Sequence, residues 1–578
     1  MLNVHARGLL PGAFRHAMTG TLAGTLTCAA ALSLAATPAT AVPGRPGTPQ
    51  PPTVVFAETF ENGQGATPIL VTGYTGAAPV NETYTADPAW LANCNGWIVS
   101  QQGPPAAPPT SGCGGWWTSV KQLAGSLGKW AGADPATNHA VTGYTNADPG
   151  AGKTQLQTVT PVNIGATKRF LTFSVDAAEV NCHGNHAKLG FYLLDGATAV
   201  PTFTTPIEPC ADSQTTIDGI KVGTYTSDKP VLFNGSTIGL RLVNFQGSGY
   251  GNDAAFDNVR ILDATPRLGV GFGPASAEIG QTATLTFTVT NTSELAVKEG
   301  WSFTANLPSG LKLAAGAPVT DCAAATVTAP AGGAQVGVTG TLAAGKPFCT
   351  ATVKVTAARA GTYDICAGDV TSRAGIDPPG CAEVRFTPPA LIFDAHAHGG
   401  RVSSPVLTVA PLVPSDVTCT GAPGADDGTL VQAALGSLGS LGVVTTRASG
   451  TVDAAGLRTA AASAKTAHVS LLGGVVTADE VTATATAKDD DTGAVHASGG
   501  VSLTNLKVNG VPVVDPGVNL SIDIPLVGKV VINERVATAG GRGISVNAVH
   551  VRTLAGVDIV VSHARAALTP PGGPCPTA

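Results

Sequence analysis

Charge is scarce in this chain. Only 12% of its 578 residues are Asp, Glu, Lys or Arg, the net charge is -6, and the basic residues form no cluster. A nucleic-acid-binding face needs concentrated Lys and Arg, so that class of partner is excluded. Beyond the amino end no run of about 18 apolar residues occurs, which leaves the mature chain without a candidate spanning helix. No Cys-x-x-Cys pair is present, and with it goes the closely spaced thiolate site that holds structural zinc. A Gly-x-Ser-x-Gly elbow is missing too. Between Pro266 and Pro388 there is no histidine, so chemistry there would rest on isolated carboxylates.

Glycine and proline are abundant instead, with 72 and 42 residues. Together with many β-branched segments they read as short strands joined by turns, an all-β chain of several domains. The length allows about three or four domains, each able to bury a core. Arg7 and Arg15 precede an apolar stretch from Leu22 to Ala36, and Pro38-Ala39-Thr40-Ala41-Val42 offers a small-x-small cleavage site. That is the layout of a secretory signal peptide, residues 1–41, and it is too short to span a bilayer. Cys28 leaves with it. Ten cysteines remain, an even number in a chain sent to an oxidising compartment, so disulfides are expected. The local pairing is Cys94 with Cys113, Cys182 with Cys210, Cys322 with Cys349, Cys366 with Cys381, and Cys419 with Cys575.

A Pro/Gly-rich linker, residues 42–52, leads to a first region, 53–265. Leu171, Phe173 and Val175 alternate with polar neighbours, as do Ile238, Leu240 and Leu242. The opening Phe60-Glu61-Asn62-Gly63 and the closing Phe256-Asp257-Asn258-Val259 resemble the first and last strands of jelly rolls of the carbohydrate-binding-module type. That resemblance implies a β-sandwich in which Glu61 and Asp257 help to hold a structural calcium ion, the hard cation that carboxylates suit. The alternative is that both carboxylates face solvent. Five of the six tryptophans, Trp90, Trp97, Trp116, Trp117 and Trp130, fall in this region. They read either as core or, at Trp116 and Trp117, as a platform on which sugar rings stack.

The second region, 266–388, opens on Gly280-Gln281 and a period-two strand, Thr284 to Asn291, with Leu285, Phe287 and Val289 on one face. With Leu307-Pro308-Ser309-Gly310-Leu311, the Phe348–Val353 strand and Ala360-Gly361-Thr362-Tyr363, it resembles the immunoglobulin-like DUF11 or conserved-repeat modules of bacterial surface proteins. The resemblance implies a spacer or adhesive stalk without catalytic residues.

The third region, 389–568, is followed by a tail, 569–578. β-branched segments dominate it, with one Gly-interrupted candidate helix from Gly428 to Leu441. Leu471 to Asp479, Leu506 to Gly510, Val531 to Glu534, Val546 to Val551 and Asp558 to Val561 resemble the choice-of-anchor P family of actinobacterial extracellular proteins. This chain shows no recognisable anchor. Asp394-Ala395-His396-Ala397-His398, after an apolar run, resembles the first strand of the amidohydrolase barrel, whose histidines hold a catalytic metal. That barrel alternates strands and helices over about 250 residues. Fewer than 190 residues follow Asp394 and they read as strands. The stretch is therefore read as the opening strand of the last module, with Phe393, Ala395 and Ala397 on one face. Asp394, His396 and His398 take the other, and the histidines are expected exposed or hydrogen-bonded at a sheet edge. His468, His496, His550 and His563 are further imidazoles that the fold could bring near.

Taken together, the residues predict a secreted multidomain chain of β-sandwiches: jelly-roll-like, then immunoglobulin-like, then a β-rich module. It is extracellular or loosely surface-associated, not an enzyme, structural or adhesive in role, and without a cofactor beyond a possible calcium ion. The alternatives are a carbohydrate-binding protein acting through the first region, and a metal-dependent hydrolase using Asp394, His396 and His398. Cell-wall or environmental polysaccharide, or another surface protein, are the expected classes of partner.

Overall fold

A computed structural model of the chain describes residues 46–572. The predicted signal peptide, Cys575 and most of the tail lie outside the described residues. The chain is dominated by antiparallel β-structure, and among the described residues its apolar side chains collect into several cores, one of which takes in Phe170 together with residues 268–386.

In the first region a nine-stranded sheet packs on a six-stranded one. Thr53–Glu58 pairs antiparallel with Asp253–Asp263, so the opening and closing strands lie side by side. Between the sheets sit Phe173, Phe191, Leu240, Leu242 and Phe256. Almost every residue of the Arg169–Val180 strand is buried, on both faces. Alternation predicted one buried face. The second is covered by an α-helix, Trp117–Ala131, a segment with no strand pattern. Its buried face, Trp117, Val120, Leu123, Ala124 and Leu127, follows the i, i+3, i+4, i+7 spacing of an amphipathic helix. Internal Gly125 and Gly128 weaken that signal, yet both are buried at close contacts: a Cβ on Gly128 would stand 2.6 Å from Asn138. Gly132 ends the helix in the left-handed region at φ 73°, its amide bonding back to Gly128 and Lys129.

The second region forms smaller sheets of five, three and four strands around Trp301, Phe287, Phe303 and Phe386. A charge is sealed within this region. Lys298 is fully buried and its ammonium donates to Glu294 at 2.5 Å, to the Asn291 side chain at 3.1 Å and to the Ala296 carbonyl at 3.3 Å.

The third region is a sandwich of a seven-stranded and a nine-stranded sheet. Phe393, Ala395 and Ala397 point into it with Ala462, Ala483, Val546 and Leu568. The alanines set the sheets close: a Cβ on Gly450 would meet the Phe393 ring at 2.7 Å. The candidate helix at 428–441 is a correction. Gly424–Leu430 and Gly439–Leu441 are strands, with a short 3-10 turn, Gly436–Leu438, between them. β-branched neighbours and flanking strands outweigh the weak helical preference of a Gly-punctuated segment.

The regions are docked directly. Arg169 donates to Asp263 at 2.7 Å within its own region and pairs with Asp377 of the second. Phe170 belongs to the second core. Ala360 N–H donates to the Asp491 carbonyl at 2.6 Å, and Arg359 pairs with the same residue's carboxylate at 2.8 Å, joining second to third. The segment before the first strand also lies on the second region, with Gly47 N–H donating to Thr290 at 2.7 Å.

Among pairs with both cysteines described, disulfides link Cys94 with Cys113, Cys182 with Cys210, Cys322 with Cys349, and Cys366 with Cys381. Cys419 is disulfide-bonded as well; Cys575, the partner assigned to it from sequence, lies outside the described residues.

Candidate functional site

At one end of the first sandwich, Tyr144, Asn181 and Tyr250 stand at the ends of the neighbouring strands Ala140–Gly143, Arg169–Val180 and Asp253–Asp263, with Tyr144 buried, Asn181 half-buried and Tyr250 exposed. Trp116 is half exposed and lies flat on Tyr144, ring centroids 5.0 Å apart and planes within 10°. Asn181 donates to the Tyr144 hydroxyl at 2.7 Å and to Asp253 at 2.9 Å. A second stack, His183 on exposed Tyr250 at 4.9 Å, stands two residues beyond Asn181. Asp253 also accepts from Thr145 N–H at 3.0 Å; burial pushes its carboxyl up to about 6.

Trp117, grouped with Trp116 as a platform, is a correction. It is buried in the helix-to-sheet core, edge-on to Trp97, and its indole N–H donates to the Pro104 carbonyl at 2.9 Å. Adjacent helical residues point about 100° apart, so one of two neighbouring tryptophans faces out when the other faces in. Trp90 and Trp97 are buried too, and Trp130 is half-buried with its N–H on Thr224.

The two carboxylates assigned to calcium have other partners. Glu61 accepts from His139 twice, from its backbone N–H at 2.6 Å and its Nδ1 at 2.7 Å. Asp257 is buried and accepts from Asn138 at 3.0 Å and from Asn258 N–H at 2.6 Å; burial pushes its carboxyl up to about 8. Both stand near a polar cleft of about 470 Å³ whose walls include Glu61, His139, Asn258 and Arg260. Glu179, His186 and Cys210 also converge, but the Cys210 sulfur is committed to Cys182.

The histidine stretch is built differently from the sequence expectation. Ile392–Ser403 is not an edge strand: it lies between Asp558–Thr569 on one side and Ser415–Thr420 on the other. His396 and His398 are buried, at 6% and 5% exposure, rather than exposed. In register, His398 faces His563, His563 faces Asn547, and Asn547 faces Glu534, a polar rung across four strands on the sheet's outer face. The neighbouring rung places Asp416 beside His396 and Arg565 on its other side. Ser562 makes this possible. It holds φ at 53°, and Ile559 and Val561 before it, like Ala564 and Ala566 after it, enter the core while His563 turns outward.

One nitrogen from each of His396, His398 and His563 lies within 4.8 Å of the others. The hydrogen bonds fix the tautomers. Asp416 only accepts, so His396 Nδ1, 2.5 Å away, carries the proton. Asn547 donates its amide to Glu534 at 2.7 Å, which turns its carbonyl oxygen to His563 Nδ1, also 2.7 Å. In both rings Nε2 is left with a free lone pair. His398 Nδ1 is buried with no hydrogen-bond partner. Burial, then the neighbouring imidazoles and the Arg401 and Arg565 guanidiniums, holds His398 and His563 well below the usual imidazole range, and the neutral ring is the form that ligates metals. Asp394 is spent elsewhere, accepting from Arg565 at 3.1 Å. Of the other imidazoles, His468 and His496 are exposed. His550 stands behind the rung, between Glu534 at 2.6 Å and Asp558 at 2.9 Å.

Residues 266–384 match the family model described as a domain of unknown function, DUF7933. No curated protein matches the chain. Among solved structures it is similar to the N-terminal domain of the Streptococcus gordonii adhesin Sgo0707, at 12% identity and a TM-score of 0.21 over 44% of this chain and 63% of that one. The chain thus spans less than two thirds of that adhesin structure. It is also similar to BcpA, the major pilin subunit of Bacillus cereus, at 10% identity and a TM-score of 0.19, covering 50% and 91% of the two chains. A third is the Yersinia pseudotuberculosis adhesin InvE, at 13% identity and 0.14, covering 47% and 69%.

Proposed function

We propose that this is a secreted, non-enzymatic surface or matrix protein with a structural and adhesive role. The observation that carries the reading is the joint chemistry. Consecutive β modules are fastened by Arg169 to Asp377 and by Arg359 to Asp491, with disulfides inside the modules. Such an array holds its geometry under load outside a cell and presents loop ends to a partner. Among the described residues no helix is long and apolar enough to cross a membrane. The test is adhesion: beads carrying the purified chain are passed over cell-wall polysaccharide, plant polysaccharide and extracellular protein surfaces, and retention under flow is measured. Retention on at least one surface supports the reading; bead behaviour equal to uncoated controls on all of them contradicts it.

A second reading, carbohydrate binding by the first module, is favoured by one observation, the exposed Trp116 face supported flat by Tyr144. Pyranose rings stack on such faces, and the half-buried Asn181, bonded to the Tyr144 hydroxyl, is the neighbouring polar group. On a glycan array, Trp116→Ala should lose binding at least tenfold with the fold intact, while equal binding by the variant removes this reading.

A further inference from the structure

We propose that His396, His398 and His563 form a binding site for a divalent late transition metal, zinc by preference, on the outer face of the third module. Three imidazoles without thiolate are the donor set that zinc, cobalt, nickel and copper share, whereas calcium and magnesium require oxygen. The three nitrogens lie within 4.8 Å of one another. In a tetrahedral zinc site they stand about 3.3 Å apart, given bonds of about 2.0–2.1 Å, so the rings must turn to close on an ion.

The groups around the rings make the case. A metal-ligating histidine donates its other N–H to a carboxylate or carbonyl oxygen, which fixes ring and tautomer. His396 has Asp416 for this and His563 has Asn547, itself held by Glu534. Both leave Nε2 bare. His398 supplies the second independent observation: a 5% exposed ring whose Nδ1 has no hydrogen-bond partner. An orphaned buried ring nitrogen is costly, and a cation coordinated at that nitrogen removes the cost. His398 and His563 are directly opposed across two paired strands and their rings stack at 4.7 Å, so a shared ion requires one of the two rings to turn out of the stack.

Three protein ligands leave a fourth position, and His563 is the half-buried member through which water reaches it. The cation would tie Ile392–Ser403 to Asp558–Thr569 at the place where Ser562 breaks their regular alternation. Asp394 takes no part, since Arg565 holds it. The site is thus distinct from an Asp-x-His-x-His hydrolase centre, and it stands whether or not the chain is adhesive.

The test uses the full secreted chain, stripped of metal with a chelator and titrated with cobalt(II) alone. The site predicts uptake of one equivalent with the visible bands of a low-coordinate, nitrogen-ligated ion, displaced by zinc. His398→Ala and His563→Ala should each weaken uptake at least a hundredfold. Asn547→Leu and Asp416→Asn, which remove only the orienting groups, should weaken it about 10- to 100-fold. His496→Ala, at an exposed imidazole outside the cluster, should change nothing. Circular dichroism checks folding; should the histidine variants misfold, the wild-type stoichiometry and Asn547→Leu decide alone. No cobalt uptake by the wild type, or uptake that His496→Ala removes and His563→Ala does not, overturns the proposal.

Discussion

Single residues differ sharply in what they carry here. Trp116 and Trp117 are neighbours of one type, yet the first should tolerate truncation and the second should not. Trp117→Ala opens a hole in the helix-to-sheet core and should cost about 3–5 kcal/mol, against about 1 kcal/mol or less for Trp116→Ala. Chemical denaturation of the two variants measures the difference, and equal losses would contradict the assignment of core and surface. His550 gives a pH signature. Burial pulls its pKa down, but hydrogen bonds to Glu534 and Asp558 outweigh burial and raise it. Its hydrogen bond, opposed by burial, holds the Glu534 carboxyl down to about 2. The raised imidazole contributes stability that is complete below its unfolded value of about 6.5 and fades as pH rises through the folded value. The depressed carboxylate contributes above its unfolded value of about 4.3 and loses that as pH falls toward about 2. Replacing His550 by Gln should therefore cost most, about 1–3 kcal/mol, near pH 5–6, and less on either side. A pH-independent loss in urea melts would sink that account. Lys298→Met removes the cation that Glu294, Asn291 and the Ala296 carbonyl share; Glu294 keeps the Thr292 hydroxyl and Asn291 the Thr292 N–H, so urea melts should show a loss of about 1–3 kcal/mol, the cost of hydrogen bonds to a charged group. None of these partners is visible in the sequence. His396 with His398 is legible because i, i+2 residues share a strand face, and His563 could only be named as one of four further imidazoles. Asp416 and Asn547 leave no trace, since cross-strand register is set by turns and bulges far along the chain.

Strands were the legible elements. The run from Ala283 to Thr290 alternates buried and half-buried residues, and that period of two is what a half-solvated sheet requires. Where the alternation was misleading, a second layer explains it. The Arg169–Val180 strand is buried on both faces because the helix Trp117–Ala131 lies on the outer one. The helix was hidden by its glycines and by tryptophans that invited a different reading, although Val120, Leu123, Ala124 and Leu127 carry the spacing. The edge placement expected for Ile392–Ser403 fails for a related reason: Ser415–Thr420 reaches it across a loop that no local pattern announces. At this scale the helix stop is a sensitive point. Gly132→Ala places a Cβ in the left-handed region and should cost about 1 kcal/mol in thermal or chemical unfolding. No measurable loss would mean that the helix does not end on this cap.

At the scale of the whole molecule, ion pairs cross between the three sequence regions. Arg169 touches carboxylates of two regions at once, Asp263 and Asp377, so Arg169→Ala should loosen the first module from the second. It should separate one unfolding transition into two in calorimetry, with the total enthalpy little changed; a single unshifted transition would show that the joint does not depend on this residue. Composition foretold the class of the molecule, since scarce charge, frequent Gly and Pro and β-branched segments leave few alternatives to stacked sheets. Composition could not foretell the docking, which depends on a handful of side chains at module ends. The central claim, a rigid extracellular array that adheres, is tested most directly by the retention of chain-coated beads under flow on polysaccharide and protein surfaces. The account predicts beads held on at least one surface. Beads that wash from every surface as readily as uncoated ones would contradict it.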